Sequence, residues 1–324
     1  MRERNGIAVG GTIIVDKINE ISAYPEIGEL TKIKSVSYAI GGCVPNVGID
    51  LKKLRPSLDV LALGKIGKDA NGEFTLNCLK EASLDTRGII ENESDATSFT
   101  EVMSIKSGQR TFFTYPGASA DLGFDDIDFD AINAKILHLG YFLLLDKIDA
   151  GDGLEILKEA SSRGIKTSID LVSENSNRYS IVIPCLKYTD YLIVNEIEAS
   201  KIAGIEPLDE NLQAIAEKLM TLGVREKVII HKSDRAVSLS KEGFTCVPSL
   251  DVSSDKIAGT TGAGDAFCAG ALLAIYDGKS DKEILEFASS VALVSLFSKD
   301  ATSGIVNEEK VKEISKEYGR KNIC

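Results

Sequence analysis

The segment Gly259-Thr260-Thr261-Gly262-Ala263-Gly264-Asp265 sets a turn of small residues and one carboxylate directly before an apolar run, Ala266 to Ile275. Such a turn leaves bare N–H groups at a helix start, where the dipole and the unpaired donors attract phosphate. Glycine lets a ligand approach the backbone closely. A carboxylate beside bound phosphate is repelled unless it has a task. Accepting the proton of a hydroxyl that attacks a phosphoryl group is one task that fits. Taken alone, the segment reads more readily as a helix opened by a glycine turn with an acid near its positive end.

The elements that must position this turn alternate. Ile7–Ile14, Asp59–Leu63, Lys135–Leu139, Lys166–Ile169, Tyr191–Val194 and Lys227–His231 read as buried strands. Asn46–Leu54, Gly72–Ala82, Gly151–Arg163, Glu196–Ala203 and Glu210–Leu222 carry the i, i+3, i+4 spacing of amphipathic helices, and helices follow over 263–277, 281–298 and 307–319. The fold class predicted is α/β, a mostly parallel central sheet with helices on both faces. Residues 12–40 and 96–115 break the rhythm with alternating Thr, Ser, Val, Tyr and Phe. Thr97–Ile105 and Gln109–Tyr115 read as a hairpin around Ser107-Gly108, and these strands suit a small second sheet, either a lid or an edge extension. No linker or repeat divides residues 1–324, so one domain with this appendage is expected.

Composition narrows the partners. The chain has 37 Lys and Arg against 49 Asp and Glu, a net charge of −12, which disfavours nucleic acid and membrane surfaces. A bound nucleotide must find its positive potential at helix ends, a metal and a few lysines. Six cysteines (43, 78, 185, 246, 268 and 324) show no paired spacing, as expected of free thiols in a reducing cytosol without a disulfide frame or zinc site. The N-terminus lacks a signal-peptide core, and Ile136 to Leu145 is about half a membrane span, so a soluble, cytoplasmic protein is expected. P-loop, dinucleotide-fold and nucleophile-elbow motifs are missing, and two histidines do not suggest a triad.

Four short motifs occur in order: Gly41-Gly42-Cys43-Val44-Pro45-Asn46, Gly64-x-x-Gly67-x-Asp69-x-x-Gly72, Asn195-x-x-Glu198 and the Gly259–Asp265 turn. Together they resemble the PfkB/ribokinase family of carbohydrate kinases over residues 5–310. The resemblance implies a ribokinase-like fold and an ATP-dependent transfer to a primary hydroxyl of a sugar or sugar acid, most like the fructokinase and ketodeoxygluconate-kinase sort. Asp265 takes the role of base, and the N–H groups around Gly262, Ala263 and Gly264 meet the charge on the transferred phosphoryl group. The helix end is expected to keep Asp265 ionised and weakly basic.

Asp16, Gly41, Gly42 and Asn46 become acceptor contacts, although a strand-end Asp is otherwise a turn residue and an Asn here otherwise a cap. Asn195 and Glu198 project from one helix turn and suit hydrated Mg²⁺, or else a helix-start pair. Asn195, Thr261, Ser233 and Ala236 take nucleotide contacts. The family's dimerisation through lid strands extends to a possible homodimer. Lid closure over the acceptor is implied as well.

Three departures stand out. Gly259 replaces a family acid that in some members serves a monovalent cation, which speaks against K⁺ activation. Ser233-Asp234-Arg235-Ala236 replaces a Gly-x-x-Gly turn, and Asp300-Ala301 replaces Gly-Ala. Lys232 and Arg235 are either phosphate contacts or solvated charges. Phe112, Phe113 and Tyr115, with Tyr141-Phe142, are candidates for an apolar wall, and Cys43 for an acceptor contact. A nucleoside kinase on the same fold and a non-enzymatic metabolite sensor are the competing functional readings.

Overall fold

A computed structural model describes residues 4–106 and 109–324 of the chain. Ser107 and Gly108, at the expected hairpin tip, lie outside the described residues. Thirteen strands form two sheets among the described residues.

The larger sheet contains β1 (Ile7–Gly10), β4 (Val60–Gly67), β5 (Asp85–Asn92), β8 (Ile136–Phe142), β9 (Lys166–Leu171), β10 (Tyr191–Asn195), β11 (Lys227–His231), β12 (Arg235–Ser240) and β13 (Gly243–Pro248). Their order is β13-β12-β11-β10-β9-β8-β1-β4-β5. Pairing is parallel from β5 through β11 and antiparallel only at β11-β12 and β12-β13.

Both faces are covered. Ile7 and Val9 of β1 pack on one side with helices α1 (Cys43–Leu54), α6 (Ala263–Tyr276) and α7 (Asp281–Ser295). Ala8 packs on the other with α3 (Gly153–Ser162), α4 (Glu196–Ala203) and α5 (Leu212–Leu222). Alternation along a strand sends neighbouring side chains to opposite faces, so one four-residue strand feeds two cores. Two further helices, α2 (Ala70–Glu81) and α8 (Glu308–Ser315), add Leu79 and Val311 to the first core.

The smaller sheet has the order β3-β2-β6-β7, from β2 (Ile14–Ile21), β3 (Ile33–Gly41), β6 (Phe99–Ser104) and β7 (Arg110–Tyr115). The expected first strand over 7–14 is therefore two strands in two sheets. The break falls at Gly11, whose φ of 144° is open to glycine, and a Cβ there would lie 2.6 Å from the Gly140 carbonyl oxygen.

Other expectations shift at their ends. Helix α1 begins at Cys43 and not Asn46, because Gly42 at φ 92° turns the chain against Thr12. Helix α2 begins at Ala70, since Asp69 caps it by accepting from Gly72 N–H at 2.8 Å. The last two helices end early, at Ser295 and Ser315.

Strands β5, β12 and β13 had no sequence signal of comparable strength. β5 and β13 are the sheet's edges and carry half-buried patterns, and β12, antiparallel beside β13, mixes buried and half-buried positions. One cysteine expectation is corrected: Cys246 on β13 and Cys324 are joined by a disulfide with Cα atoms 6.0 Å apart. The C-terminal segment runs beside β13, with Asp251 N–H donating to Gly319 O and Lys321 N–H to Ser249 O, so two distant cysteines become neighbours. No helix among the described residues is long and apolar enough to cross a membrane.

Candidate active site

Helix α6 starts at Gly262, in the left-handed region at φ 79°, with no side chain capping it. A Cβ on Gly262 would press within 2.5 Å of Ala301, so the close turn requires glycine. The first N–H groups of the helix have no partner four residues back; Ala263 N–H turns to Thr260 O at 3.3 Å, and Gly262, Gly264 and Asp265 line the cavity beyond.

Asp265 lies in that first turn and is buried. Asn46 of α1 donates from Nδ2 to Asp265 Oδ2 at 2.9 Å. The Tyr141 hydroxyl donates to the same carboxylate and lies 3.0 Å from each oxygen. Burial pushes the Asp265 carboxyl up to about 7; Asp170 adds to the rise, while the Asn46 and Tyr141 hydrogen bonds oppose it. The helix end was expected to keep Asp265 ionised and weakly basic, and burial instead raises its proton affinity. Desolvation outweighs the helix end, and the proton affinity suits a base working near neutrality.

Tyr141 and Asp170 carry roles that the sequence concealed. Tyr141 stands at φ 62°, rare for a large side chain, after Gly140. Its N–H donates to Asp170 Oδ1 at 2.6 Å, which aims the phenol at Asp265. Phe142 is core, so Tyr141-Phe142 is not an apolar wall. The usable signal was a carboxylate at the end of β9, the same placement that singled out Asp16 at a strand.

A cavity of about 210 Å³ opens between these groups, lined by Tyr141, Asp170, Asn195, Glu198, Gly264 and Asp265 among others. Asn195 and Glu198 form a reciprocal cap. Asn195 Oδ1 accepts from Ile197 and Glu198 N–H at 2.9 Å, and Glu198 Oε2 accepts from Asn195 N–H at 3.1 Å. Burial pushes Glu198 up to about 7, against hydrogen bonds from Asn195 and Ser173. The pair is thus a helix-start cap whose carboxylate also faces the cavity.

A second cavity of about 430 Å³ shares His231 and Gly264 with the first. Ser233, Ala236, Leu250, Val252, Ile257 and Phe267 contribute to its walls. The His231 ring stacks at 4.9 Å on Phe267, and burial pushes it down to about 4, leaving it neutral. The Ser233–Ala236 turn closes without glycine through Lys232 N–H to Arg235 O at 2.9 Å. Lys232 and Arg235 are both paired with Asp209, and Arg235 also with Asp234. Thr260 lines the larger cavity, and Thr261 follows it into the Gly262 turn.

On the small sheet, Asp16 lies against Gly41, whose Cβ would come within 2.9 Å of Asp16 Oδ2. Burial raises the Asp16 pKa, and a hydrogen bond from Thr100 lowers it. Cross-strand register sets Asp16 opposite Thr100, and Thr100 opposite Thr114, on one sheet face. Gly41, Gly42 and Asn46 follow closely from β3 into α1, so the chain runs from the small sheet to Asp265 in a few residues.

Residues 10–308 match the pfkB family carbohydrate kinase domain. The chain belongs to this family of carbohydrate kinases. A ribokinase of Arabidopsis thaliana is 26% identical over 317 residues, 96% of this chain and 81% of that protein. A 5-dehydro-2-deoxygluconokinase of Clostridium perfringens is 25% identical over 308 residues, 90% and 89% of the respective chains.

The solved ribokinase of Arabidopsis thaliana, complexed with ribose and ATP, superposes with TM-score 0.83 at 23% identity, covering 97% of this chain and 99% of that one. A Methanocaldococcus jannaschii nucleoside kinase gives 0.77 at 20%, again covering 97% and 99%. These likenesses confirm the ribokinase-like fold, and the family makes the protein a sugar kinase, which sets aside the non-enzymatic sensor.

Proposed function

We propose that this carbohydrate kinase moves the γ-phosphoryl group of ATP onto a primary hydroxyl of a sugar or sugar acid, with Asp265 as the base. The observation that carries this reading is the placement of Asp265: a buried carboxylate of raised pKa, beside uncapped helix N–H groups, at a cavity of phosphate size. The acceptor hydroxyl gives its proton to Asp265 as its oxygen attacks phosphorus, and ADP leaves. The N–H groups of the Gly262–Asp265 turn hold the charge spread over the equatorial oxygens.

Asp16, Gly41, Gly42 and Asn46 hold the acceptor's remaining hydroxyls. Thr260, Ser233 and Ala236 border the larger cavity, which fits the nucleoside end of ATP. The Glu198 carboxylate offers the hard oxygen donors that hydrated Mg²⁺ prefers and faces the phosphate cavity, while Asn195, whose Oδ1 is taken up by the helix cap, holds Glu198 in place and meets the ion's water shell, so the residues fit the ion. When bound there, Mg²⁺ supplies neutralising charge to the phosphate chain. We also assign the small sheet as a lid and as a homodimer contact, supported by exposed Ile33, Val36, Tyr38, Phe112 and Phe113 on its strands.

A nucleoside acceptor is the second reading. Phe112 is exposed and lies on the same sheet face as Asp16, since Ile18, Val102 and Phe112 are the next paired set along. An aromatic there suits stacking on a base. A panel of neutral sugars, sugar acids and nucleosides, assayed for acceptor-dependent ADP release from Mg·ATP, separates the readings. Turnover with sugars or sugar acids supports the first; phosphorylation of nucleosides alone overturns it.

A further inference from the structure

Beneath the phosphate cavity the fold gathers a second set of ligating side chains. Cys43 opens α1, His138 and Asp170 lie on neighbouring strands β8 and β9, and Cys268 sits one turn into α6. All four are buried. The ligand atoms of Cys43, His138 and Asp170 lie within 4.8 Å of one another. His138 Nε2 is 3.3 Å from Asp170 Oδ2 and 3.6 Å from Cys268 Sγ. We propose that Cys43, His138, Asp170 and Cys268 form a binding site for a thiophilic divalent cation of the zinc and cadmium class, separate from the hard oxygen pair Asn195 and Glu198.

Three observations support it. First, the two separations at His138, to Asp170 and to Cys268, match those of a tetrahedral centre. Bond lengths of about 2.0–2.3 Å place nitrogen and oxygen ligands about 3.3–3.5 Å apart, and nitrogen and sulfur about 3.6 Å apart. His138 already holds both separations.

Second, the histidine has the partner that orients a ligating imidazole. Its Nδ1 is 3.1 Å from Ser168 Oγ; without metal Nε2–H donates to Asp170, and on metal binding the proton moves to Nδ1, which donates to Ser168 and frees the Nε2 lone pair for the ion.

Third, a glycine lets the ligands close up, and there is a route. Gly140 carries no side chain where a Cβ would collide with Cys43 Sγ and come within 2.9 Å of Asp170 Oδ1. Asp170 and Cys268 also line the 210 Å³ cavity, so an ion reaches them from the cleft without crossing the core. Two sulfurs, one imidazole and one carboxylate select soft or borderline cations over Mg²⁺.

The site is independent of which acceptor the kinase uses, and its test needs no turnover. Co²⁺ is titrated into the reduced, metal-stripped full chain in the presence of millimolar Mg²⁺, and the visible and near-ultraviolet spectrum is followed. One equivalent is expected to give the intense d–d bands of a tetrahedral site with sulfur-to-cobalt charge transfer, abolished by one equivalent of Zn²⁺. Cys43→Ala and Cys268→Ala are each expected to remove most of the charge-transfer intensity. Cys78→Ala, at the half-buried free thiol outside the cluster, leaves it intact.

Ser168→Ala, which keeps all four ligands, is expected to weaken Co²⁺ binding about 10–100-fold through loss of His138 orientation. Circular dichroism confirms that each variant is folded. A spectrum without tetrahedral bands, or bands that survive undiminished in the folded Cys43→Ala/Cys268→Ala double variant, overturns the proposal.

Discussion

The Tyr141 hydroxyl sits 3.0 Å from both carboxylate oxygens of Asp265, while its own backbone N–H is anchored on Asp170. This phenol stabilises the charged form of the base against the desolvation that raises it. Removing it in Tyr141→Phe raises the Asp265 pKa above about 7. The acid limb of the kcat/KM profile is expected to move to higher pH, with activity largely recovered on the alkaline side. A limb that stays in place in the folded variant would show that Tyr141 does not act on the base.

Asp265→Asn is expected to lower turnover at least ~10²-fold, as loss of a positioned base does, with little change in nucleotide affinity. Turnover equal to that of the parent removes Asp265 from the role of base.

The same substitution has a stability signature. The Asp265 carboxyl goes from an ordinary value of 3.8 to about 7 on folding, so the folded state binds the extra proton between those values. Stability therefore falls as pH rises through that window, by up to about 4 kcal/mol for a shift of this size. The amide that Asp265→Asn introduces does not titrate, so the variant's advantage in Tm should grow from about pH 4.5 to about pH 8. Parallel Tm–pH curves for the two proteins would contradict the buried, raised carboxyl.

Glu198 titrates in the same range, pushed up to about 7 by burial. Below that pH it is protonated and loses its ability to hold a cation. The Mg²⁺ concentration needed for half-maximal activity is expected to rise as pH falls from about 8 to about 6. Glu198→Gln should make the requirement high and flat across that range; steady-state titrations at fixed total ATP read both.

Asn46→Ala is expected to raise the acceptor's KM more than that of the nucleotide, because Asn46 follows the Gly41-Gly42 turn beside Asp16 and touches the base directly. The reverse pattern would place Asn46 outside the acceptor site.

Much of this architecture was legible from local pattern. The strands from Tyr191 and Lys227 and the helices from Glu196 and Ala263 begin where hydrophobic period and glycine turns place them. The Gly262–Asp265 turn stood out by composition as an uncapped helix start, and only its company with the other three motifs suggested a chemistry for it. What stayed hidden depends on neighbours distant in the chain. Tyr141 reads as a wall residue until a positive φ and Asp170 turn it toward Asp265. The raised pKa of Asp265 comes from burial under α1 and β8, which no local window contains. Cys246 and Cys324 are 78 residues apart and meet only because the last residues follow β13. Lys232 and Arg235 lose their freedom to Asp209, an acid from the loop before α5.

The interruption at Gly11 has a mechanical consequence. It hands Asp16 to one sheet while Asn46 and Asp265 remain with the other, so neither sheet alone contains a complete cradle for the acceptor. If Asp16 holds the acceptor as proposed, a molecule that also offers its alcohol to Asp265 must span both sheets, and one too short to do so would be held without reaching the carboxylate.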